Sequence, residues 1–270
     1  MAAPKVRVDH RVLELGLADT LDQAQRLILA GVVRCGDCVY DKPGHLLAAD
    51  IALTLKDKRT HWVSRGGDKL REALDVFTVD PTGLTCLDVG ASTGGFTHVL
   101  IERGAREVTA LDVGYGILDW NLRNNPRVIP IERTNFRTLP PDFFPNPFDL
   151  VVIDVSFISL RMILPKAATV IKPEGMILAL IKPQFEAARE DVAKGGKVTS
   201  PEVRAQVVTT LQSELMTAGL FLHGITGICK SEPGKNLEVF SHWRRSAPTP
   251  SVAVTDAAIR LAVQEPSEAP

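Results

Sequence analysis

A cluster of glycines in the middle of the chain has the composition of a ligand-binding turn. The apolar run Leu84–Val89 leads into GASTGGF, in which Gly90, Gly94 and Gly95 precede a helical pattern. Glycine adopts positive φ angles without strain and lets a ligand approach the backbone closely. The spacing lacks the middle glycine of the GxGxxG fingerprint, which accommodates a pyrophosphate. The segment therefore predicts a ligand-binding turn that differs from the dinucleotide fingerprint.

A carboxylate follows the glycine turn at the end of the next apolar run. Glu107–Leu111 reads as a strand, and Asp112 comes about 20 residues after the turn, the interval at which an acidic residue binds the ribose of a nucleoside cofactor. The two oxygens of Asp112 can accept hydrogen bonds from both ribose hydroxyls. The alternative is that Asp112 is a helix N-cap. The preceding glycine turn favours ribose binding.

Four residues suited to binding or chemistry stand directly after predicted strands: Gly90, Asp112, Asp154 and Lys182. Strands alternate with stretches of helical period, which predicts an α/β fold with a parallel, doubly wound sheet. Ligands bind at the carboxyl ends of the strands in such sheets. The predicted strands are Leu84–Val89, Glu107–Leu111, Arg127–Pro130, Leu150–Ile153 and Met176–Ile181, and the predicted helices include Arg65–Phe77, Leu160–Ile171 and Glu202–Ala218.

A separate small α+β unit is predicted from residue 5 to about residue 55. Its apolar positions first have helical spacing over two segments, with a glycine after each segment as a stop signal and Thr20 or Asp19 as the cap of the second helix. A hairpin and a returning strand follow. So small a core is marginal by itself, which is typical of an attached binding module. The strand segments are Val32-Val33-Arg34, Val39-Tyr40 and Leu53-Thr54-Leu55.

Two of the four cysteines have the spacing of half a metal knuckle or of a redox pair, Cys35-Gly36-Asp37-Cys38. No second Cys/His pair lies nearby, and Gly-Asp is typical of a hairpin turn, so we expect neither a metal nor a disulfide there. Cys86 and Cys229 lie in apolar runs and are predicted core residues. Free thiols fit a reducing compartment.

The composition is that of an ordinary globular protein, with 270 residues, 45% hydrophobic and 23% charged. No apolar run approaches the ~18 residues of a membrane-spanning helix, and the N-terminus lacks the apolar core of a signal peptide. The sequence therefore predicts a cytoplasmic protein without a membrane partner. The net charge of −1 does not indicate a nucleic-acid partner, although Lys56–Glu72 holds six basic and three acidic residues. That stretch is either a local phosphate-binding site or a solvated linker.

The N-terminal pattern VRVDHRVLELGLADTLDQAQRLILAGVVRCGD resembles an S4 domain, a small RNA-binding module. The glycines, the order of helix, helix and hairpin, and the GVVRCGD turn carry the resemblance. It implies that basic side chains of this unit contact RNA phosphates, although each alone can be an ordinary surface arginine. Together with Arg59 and Arg65, which follow this unit, the predicted RNA-binding residues are Arg7, Arg11, Arg26, Arg34, Arg59 and Arg65.

The segment LDVGASTGGFT resembles the first motif of Rossmann-like methyltransferases. In that family the glycine turn holds the amino-acid part of S-adenosyl-L-methionine, so no phosphate needs to be neutralised. The resemblance implies this cofactor for the chain and requires no metal. The implied cofactor-binding residues are Asp88, Gly90, Ala91, Ser92, Thr93, Gly94, Gly95, Phe96, Asp112, Val113 and Asp154.

Five motifs in fixed order extend the resemblance from about Val6 to Arg245: HWVSRGGDKL, LDVGASTGGFT, DLVVIDVSFISL, LALIKPQFE and GKNLEVF. They are similar to those of FtsJ-type RNA ribose methyltransferases. With the S4-like start, the chain resembles the TlyA family of ribosomal RNA 2′-O-methyltransferases, also labelled haemolysins. The resemblance implies strand order 3-2-1-4-5-7-6 with strand 7 antiparallel, and cytidines of both ribosomal subunits as substrates. We expect an S4-like domain at 1–58, a linker at 59–64, the methyltransferase domain at 65–245 and a mobile tail at 246–270, in which Thr255–Gln264 can form a short helix.

The FtsJ-type catalytic tetrad of Lys, Asp, Lys and Glu falls on Lys69, Asp154, Lys182 and Glu238. A ribose 2′-hydroxyl is a poor nucleophile, so its proton must leave as the oxygen attacks the methyl group. Lys182 can be the base if cationic neighbours or desolvation keep it neutral. Asp154 and Glu238 then orient the two amines, and Lys69 holds the ribose or its phosphate.

Other functions and ordinary structural roles are the alternatives. Membrane lysis, which the haemolysin label implies, lacks support because the sequence has no apolar hairpin or long amphipathic segment. A methyltransferase fold that only binds RNA is disfavoured by the complete tetrad. Singly, Lys69 can be a surface residue, Asp154 a helix cap, Lys182 the start of a loop and Glu238 a solvent-facing residue of an edge strand.

Overall fold

The computed structural model describes residues 5–29, 31–36, 38–55, 61–228, 236–250 and 253–264. The chain divides into two compact units, Met1–His61 and Trp62–Pro270. The sequence predictions for Arg59, Cys229 and residues 265–270 lie outside the described residues. Within the described parts of the chain, every helix falls short of the length and apolarity that crossing a bilayer requires.

The first unit contains both predicted helices and the predicted hairpin. Thr20 caps the second helix, because its Oγ1 accepts a hydrogen bond from the backbone N of Gln23 (3.2 Å). Cys35 pairs with Cys38 in antiparallel register around Gly36 (φ +56°), and both cysteines are free thiols. The pairing of the first and fourth strands was not predicted. The elements are β1 Lys5–Arg7, α1 Val8–Glu14, α2 Leu21–Leu29, β2 Val33–Cys35, β3 Cys38–Tyr40, β4 Leu46–Ala48 and β5 Thr54–Leu55.

The second unit is an α/β unit around one seven-stranded sheet. The strands lie in the order β11-β12-β10-β9-β6-β7-β8, and β12 runs antiparallel to both of its neighbours. Numbered within this unit, the order is 3-2-1-4-5-7-6 read from β8, so the predicted topology is confirmed. The elements are α3 Gly66–Val76, β6 Thr85–Val89, α4 Gly95–Glu102, β7 Glu107–Leu111, α5 Trp120–Arg123, β8 Val128–Ile131, β9 Phe148–Ile153, α6 Leu164–Val170, β10 Ile171–Ile181, α7 Pro201–Thr217, β11 Phe221–Gly227, β12 Val239–Arg244 and α8 Asp256–Ala262.

Both faces of the central strands are buried. The four residues Leu150–Ile153 have no exposed surface, and their side chains alternate between two apolar clusters on opposite faces of the sheet. Parallel strands covered on both faces read as continuous apolar runs, which is why the sequence located them. One layer includes α6, α7 and α8, and the other includes α3 and α4.

The predicted helix Leu160–Ile171 is wrong at both ends. A 3₁₀ turn occupies Leu160–Met162, and α6 begins with Pro165 in its first turn, where the missing N–H of proline costs nothing. Strand β10 begins at Ile171 rather than Met176, with an irregularity in its pairing to β9 between these residues.

The C-terminal segment differs from the predicted mobile tail. Thr255 caps α8, and Ile259 and Val263 of this segment are buried in the core. The buried Arg204 of α7 donates to the carbonyl oxygen of Val263 (2.8 Å). The prediction of mobility for 246–270 is therefore wrong for residues 253–264, because apolar side chains of this segment pack into the same core cluster as α7 and β11. The alternative of a short helix at Thr255–Gln264 is confirmed.

Candidate active site

The glycine turn between β6 and α4 is shaped by backbone geometry that only glycine adopts easily. Gly90 has φ +84°, and a Cβ atom there would lie 2.5 Å from the carbonyl oxygen of Asp154. Gly94, at the N-cap of α4, has φ +95°, and its Cβ would lie 2.4 Å from Leu122. The turn therefore packs directly against the end of β9, which carries Asp154.

Asp112 ties the glycine turn to the end of β7. Its Oδ2 accepts a hydrogen bond from the backbone N of Ser92 (2.8 Å), and its Oδ1 accepts one from Gly114 (2.7 Å). Each oxygen keeps a second lone pair, and the residue is only half-buried. The helix that follows, α5, is capped by Asp119, so the alternative of Asp112 as a helix N-cap is wrong.

Asp88 lies beneath the turn rather than at its surface. It has no exposed area, and its Oδ2 accepts hydrogen bonds from both the backbone N (2.9 Å) and the Oγ1 (2.6 Å) of Thr97. Burial raises the pKa of Asp88 to about 7, against the lowering effect of the Thr97 hydrogen bonds. The prediction that Asp88 contacts a cofactor directly is therefore wrong. Its side chain is fully buried and connects β6 to α4 through Thr97.

Asp88→Asn is expected to flatten the pH dependence of stability. Between the ordinary value of 3.8 and about 7, the folded protein holds a proton that the unfolded chain has lost, so this group lowers stability as pH rises. The variant removes a slope of up to about 1.4 kcal/mol per pH unit. Urea unfolding of both proteins at pH 4.5, 5.5 and 6.5 measures it. Parallel stability curves would contradict the proton uptake.

The four tetrad residues meet at the carboxyl edge of the sheet. Ile181 is paired with Val239 in antiparallel register. Lys182, directly after β10, and Glu238, directly before β12, therefore lie side by side. Helix α3 contributes Lys69, which forms an ion pair with Glu238. The Nζ of Lys182 lies 2.5 Å from the Oδ1 of Asp154.

The contacts of the tetrad decide between its predicted roles and the structural alternatives. All four side chains are partly buried, with exposed fractions between 11% and 27%, so none is a freely solvated surface residue. Asp154 does not cap the next helical turn, since the Oγ of Ser159 accepts the hydrogen bond from Arg161 there (3.1 Å). Of the two conditions considered for a neutral Lys182, cationic neighbours or desolvation, the structure shows partial desolvation, and the charged partner of Lys182 is the carboxylate of Asp154.

Sequence reasoning missed three residues at this edge. Ser156 accepts a hydrogen bond from the Nζ of Lys182 (2.9 Å). Phe157 is 91% exposed and has φ +63°, and its ring centroid lies 5.2 Å from that of Phe185. An exposed phenylalanine in this backbone region is strained, which is typical of functional sites. One signal was present: each phenylalanine is the third residue after a tetrad member, Asp154 or Lys182.

The arginines predicted to bind RNA have different surroundings. Arg7 pairs with the buried carboxylate of Asp9 (2.6 Å), and the Nε of Arg11 donates to the carbonyl oxygen of Ile51 (3.1 Å). The hydrogen bond from Arg7 lowers the pKa of Asp9 to about 2. Arg26 is exposed in an ion pair on α2, and Arg34 lies on β2. Arg65 belongs to the second unit, directly before α3. Arg7 and Arg11 thus have structural partners within their own unit.

Comparisons with known proteins agree on one family. The model of the FtsJ-like methyltransferases matches residues 62–244. The 16S/23S rRNA (cytidine-2′-O)-methyltransferase TlyA of Mycobacterium tuberculosis is 43% identical over 90% of this chain and 91% of its own. Hemolysin A of Brachyspira hyodysenteriae is 35% identical over 79% of this chain and 89% of its own. A solved structure from Streptococcus thermophilus, of a protein suggested to be a hemolysin, has a TM-score of 0.73 at 37% identity and covers 97% of this chain and 95% of its own. The chain therefore belongs to the FtsJ-like methyltransferases and, within them, to the TlyA family.

Proposed function

We propose that the protein transfers a methyl group from S-adenosyl-L-methionine to the 2′-hydroxyl of cytidines in ribosomal RNA. The observation that carries this proposal is the gathering of Lys69, Asp154, Lys182 and Glu238 as two ion pairs at the sheet edge that bears the glycine turn. The activity for which the Mycobacterium tuberculosis relative is named supports cytidines of both subunits as the substrate class. Action on ribosomes would place the protein in the cytoplasm.

The residues around the glycine turn fit a sulfonium nucleoside. Gly90 lets the turn pack closely against Asp154, and the half-buried Asp112 keeps lone pairs for ribose hydroxyls. The neighbouring Val113 is 69% exposed and offers an apolar surface for a purine ring. No basic side chain is required, because the ligand carries no phosphate. When bound, the cofactor supplies an electrophilic methyl group.

Lys182 is the proposed proton acceptor. The 2′-hydroxyl proton must leave as its oxygen attacks, and an amine that takes it becomes an ammonium. Lys182 must first release the proton that it holds in the ion pair with Asp154; the same carboxylate and the hydroxyl of Ser156 then stabilise the ammonium that forms again during transfer. The charge that develops during transfer is therefore met by groups already in place.

The pair of Lys69 and Glu238 holds the substrate in the proposed mechanism. Glu238 lies beside Lys182 in the strand register and fixes the amine of Lys69 by an ion pair. Lys69 then contacts the ribose or its phosphate as a point charge. Fixing the hydroxyl in line with the methyl group accounts for much of the acceleration, because in-line geometry removes an entropic cost.

The rings of Phe157 and Phe185 are the proposed contact for the target base. They follow the tetrad members Asp154 and Lys182, and Phe157 is almost fully exposed. Enzymes that recognise a single nucleotide in structured RNA commonly stack its extruded base on aromatic side chains. A base held there brings its own ribose towards Lys182.

Methyl transfer to purified ribosomal subunits tests the function directly. Labelled cofactor, digestion to nucleosides and chromatography are expected to yield 2′-O-methylcytidine, and Lys182→Ala is expected to yield none. Label in bases, or in no nucleoside, would overturn the proposal. RNA binding without transfer by the wild-type protein would favour the alternative of a non-catalytic methyltransferase fold.

Removal of the N-terminal unit is expected to separate cofactor binding from RNA recognition. A chain starting at Trp62 keeps the compact second unit and the edge contact between the Trp62 and His98 rings. Its affinity for S-adenosyl-L-methionine should stay within about threefold, whereas transfer to subunits should fall roughly a hundredfold because RNA contacts that position the enzyme are lost. Calorimetry and single-turnover kinetics measure the two effects. Undiminished transfer would show that the S4-like unit is dispensable.

A further inference from the structure

Two segments that carry the proposed chemistry are joined by one buried carboxylate, Glu186. The first segment, 154–160, follows β9, and the second, 182–186, follows β10. The Oε2 of Glu186 accepts a hydrogen bond from the Oγ of Ser159 (2.6 Å), and its Oε1 accepts one from the backbone N of Leu160 (2.7 Å). Glu186 is only 6% exposed.

The two segments touch at three successive levels. Lys182 donates to Ser156 at the end near the strands, the rings of Phe157 and Phe185 meet in the middle, and Glu186 binds Ser159 and Leu160 at the far end. Lys182 also pairs with Asp154 near the strands (2.5 Å), so the two segments are joined by a charged group at each end, and Glu186 is the one at the far end. A charged acceptor forms shorter and stronger hydrogen bonds than a neutral one.

Placing a carboxylate at this position carries an energetic cost. Burial raises the pKa of Glu186, against the lowering effects of Ser159, Leu160 and Arg161. The neighbouring charged groups are Arg161, which pairs with Glu214 of α7 (2.6 Å), and Glu214 itself, which raises the pKa further. A carboxylate only accepts hydrogen bonds, so both donors must point towards it, which fixes the orientation of the first segment.

We propose that Glu186 is a positioning residue for methyl transfer: it clamps segment 154–160 to segment 182–186 and thereby fixes Lys182 against Asp154 and Ser156. This inference rests on the proposed function of the same site. Misplacement of reacting groups by about 1 Å can cost a hundredfold in rate, so we expect loss of the clamp to lower the rate of methyl transfer.

A purely structural role is the competing explanation, and the chain offers a matched control for it. Asp149, near the amino end of β9 and thus at the opposite edge of the sheet, also accepts a backbone and a hydroxyl hydrogen bond, both from Thr85 (2.9 and 2.7 Å), and binds Lys172 as well (2.6 Å). Asp149→Asn should lower the melting temperature without changing the transfer rate of the folded protein.

The test compares Glu186→Gln, Ser159→Ala, their double variant and Asp149→Asn in the full-length protein. Glu186→Gln keeps the acceptor for Leu160 but cannot accept the Ser159 proton. Its single-turnover rate on ribosomal subunits should fall roughly ten- to a hundredfold, with KM for the subunits and cofactor affinity within about threefold. Ser159→Ala should reproduce part of the loss, and the double variant should lose little more than Glu186→Gln, because both changes break one interaction.

Hydrogen exchange gives a readout that does not depend on activity. Glu186→Gln should speed exchange of backbone amides in both 154–160 and 182–186, whereas Asp149→Asn should not. A wild-type rate in folded Glu186→Gln, or faster exchange in the first segment alone, would overturn the clamp. Absence of methyl transfer by the wild-type protein would refute the proposed function instead, and the exchange data would still decide whether Glu186 joins the two segments.

Discussion

Lys182→Arg is expected to reduce single-turnover methyl transfer about a thousandfold, the scale of general-base catalysis, although it preserves the positive charge. Guanidinium effectively never loses its proton, so it can replace the ammonium beside Asp154 but cannot accept a proton from the 2′-hydroxyl. Cofactor affinity measured by calorimetry should stay within about threefold, because the glycine turn and Asp112 are untouched.

The pH dependence of the rate separates a base from a fixed charge. If Lys182 acts as a general base, the wild-type rate should rise with pH, whereas a purely electrostatic role requires no such rise. Lys69→Arg is the matched control, since a lysine that only anchors the substrate tolerates a guanidinium better. Substantial activity of Lys182→Arg would leave Lys182 as a charge that positions the ribose.

Gly90→Ala is expected to abolish measurable binding of S-adenosyl-L-methionine. The new Cβ would lie 2.5 Å from the carbonyl oxygen of Asp154 at a backbone φ of +84°, so the turn and the end of β9 must move apart. The first collision of the new side chain is therefore with the protein backbone. Some loss of thermal stability should accompany the loss of binding.

Gly104→Ala separates backbone strain from damage to the site. Gly104 has nearly the same φ, +85°, and the nearest contact of its Cβ would be the side chain of Thr82 at 3.2 Å. It follows α4, away from the glycine turn. The control should lose stability and keep its affinity in calorimetric titration. Equal affinity of folded Gly90→Ala and the wild type would remove the turn from the cofactor site.

The positions of the site residues along the chain were predictable, but their partners were not. Asp112, Asp154 and Lys182 follow buried strands whose apolar runs are visible in the sequence, so their common edge could be inferred from the alternation of strands and helices. The choice of partners depends on side-chain packing across strands. Only the structure pairs Lys182 with Asp154 and Lys69 with Glu238.

Burial and backbone strain were equally hidden from the sequence. Asp88 has the residue type of a ligand contact, yet its side chain is fully buried and its Oδ2 accepts both hydrogen bonds from Thr97 of α4. The positive φ of Phe157 has no marker, because phenylalanine rarely adopts it. The apolar stripe of α8 is short and lies in a segment rich in proline and alanine, so composition alone favoured mobility there.

The ion pair between Lys69 and Glu238 has a consequence for biosynthesis. Its members are separated by 169 positions in the sequence, whereas Ser92 and Asp112, which shape the glycine turn, are separated by only 20. A chain emerging from the ribosome can make the second contact early but must wait for β12 before it makes the first. A nascent or prematurely terminated polypeptide therefore carries the turn without the complete tetrad, and methylation competence arises only as the last strand of the sheet inserts.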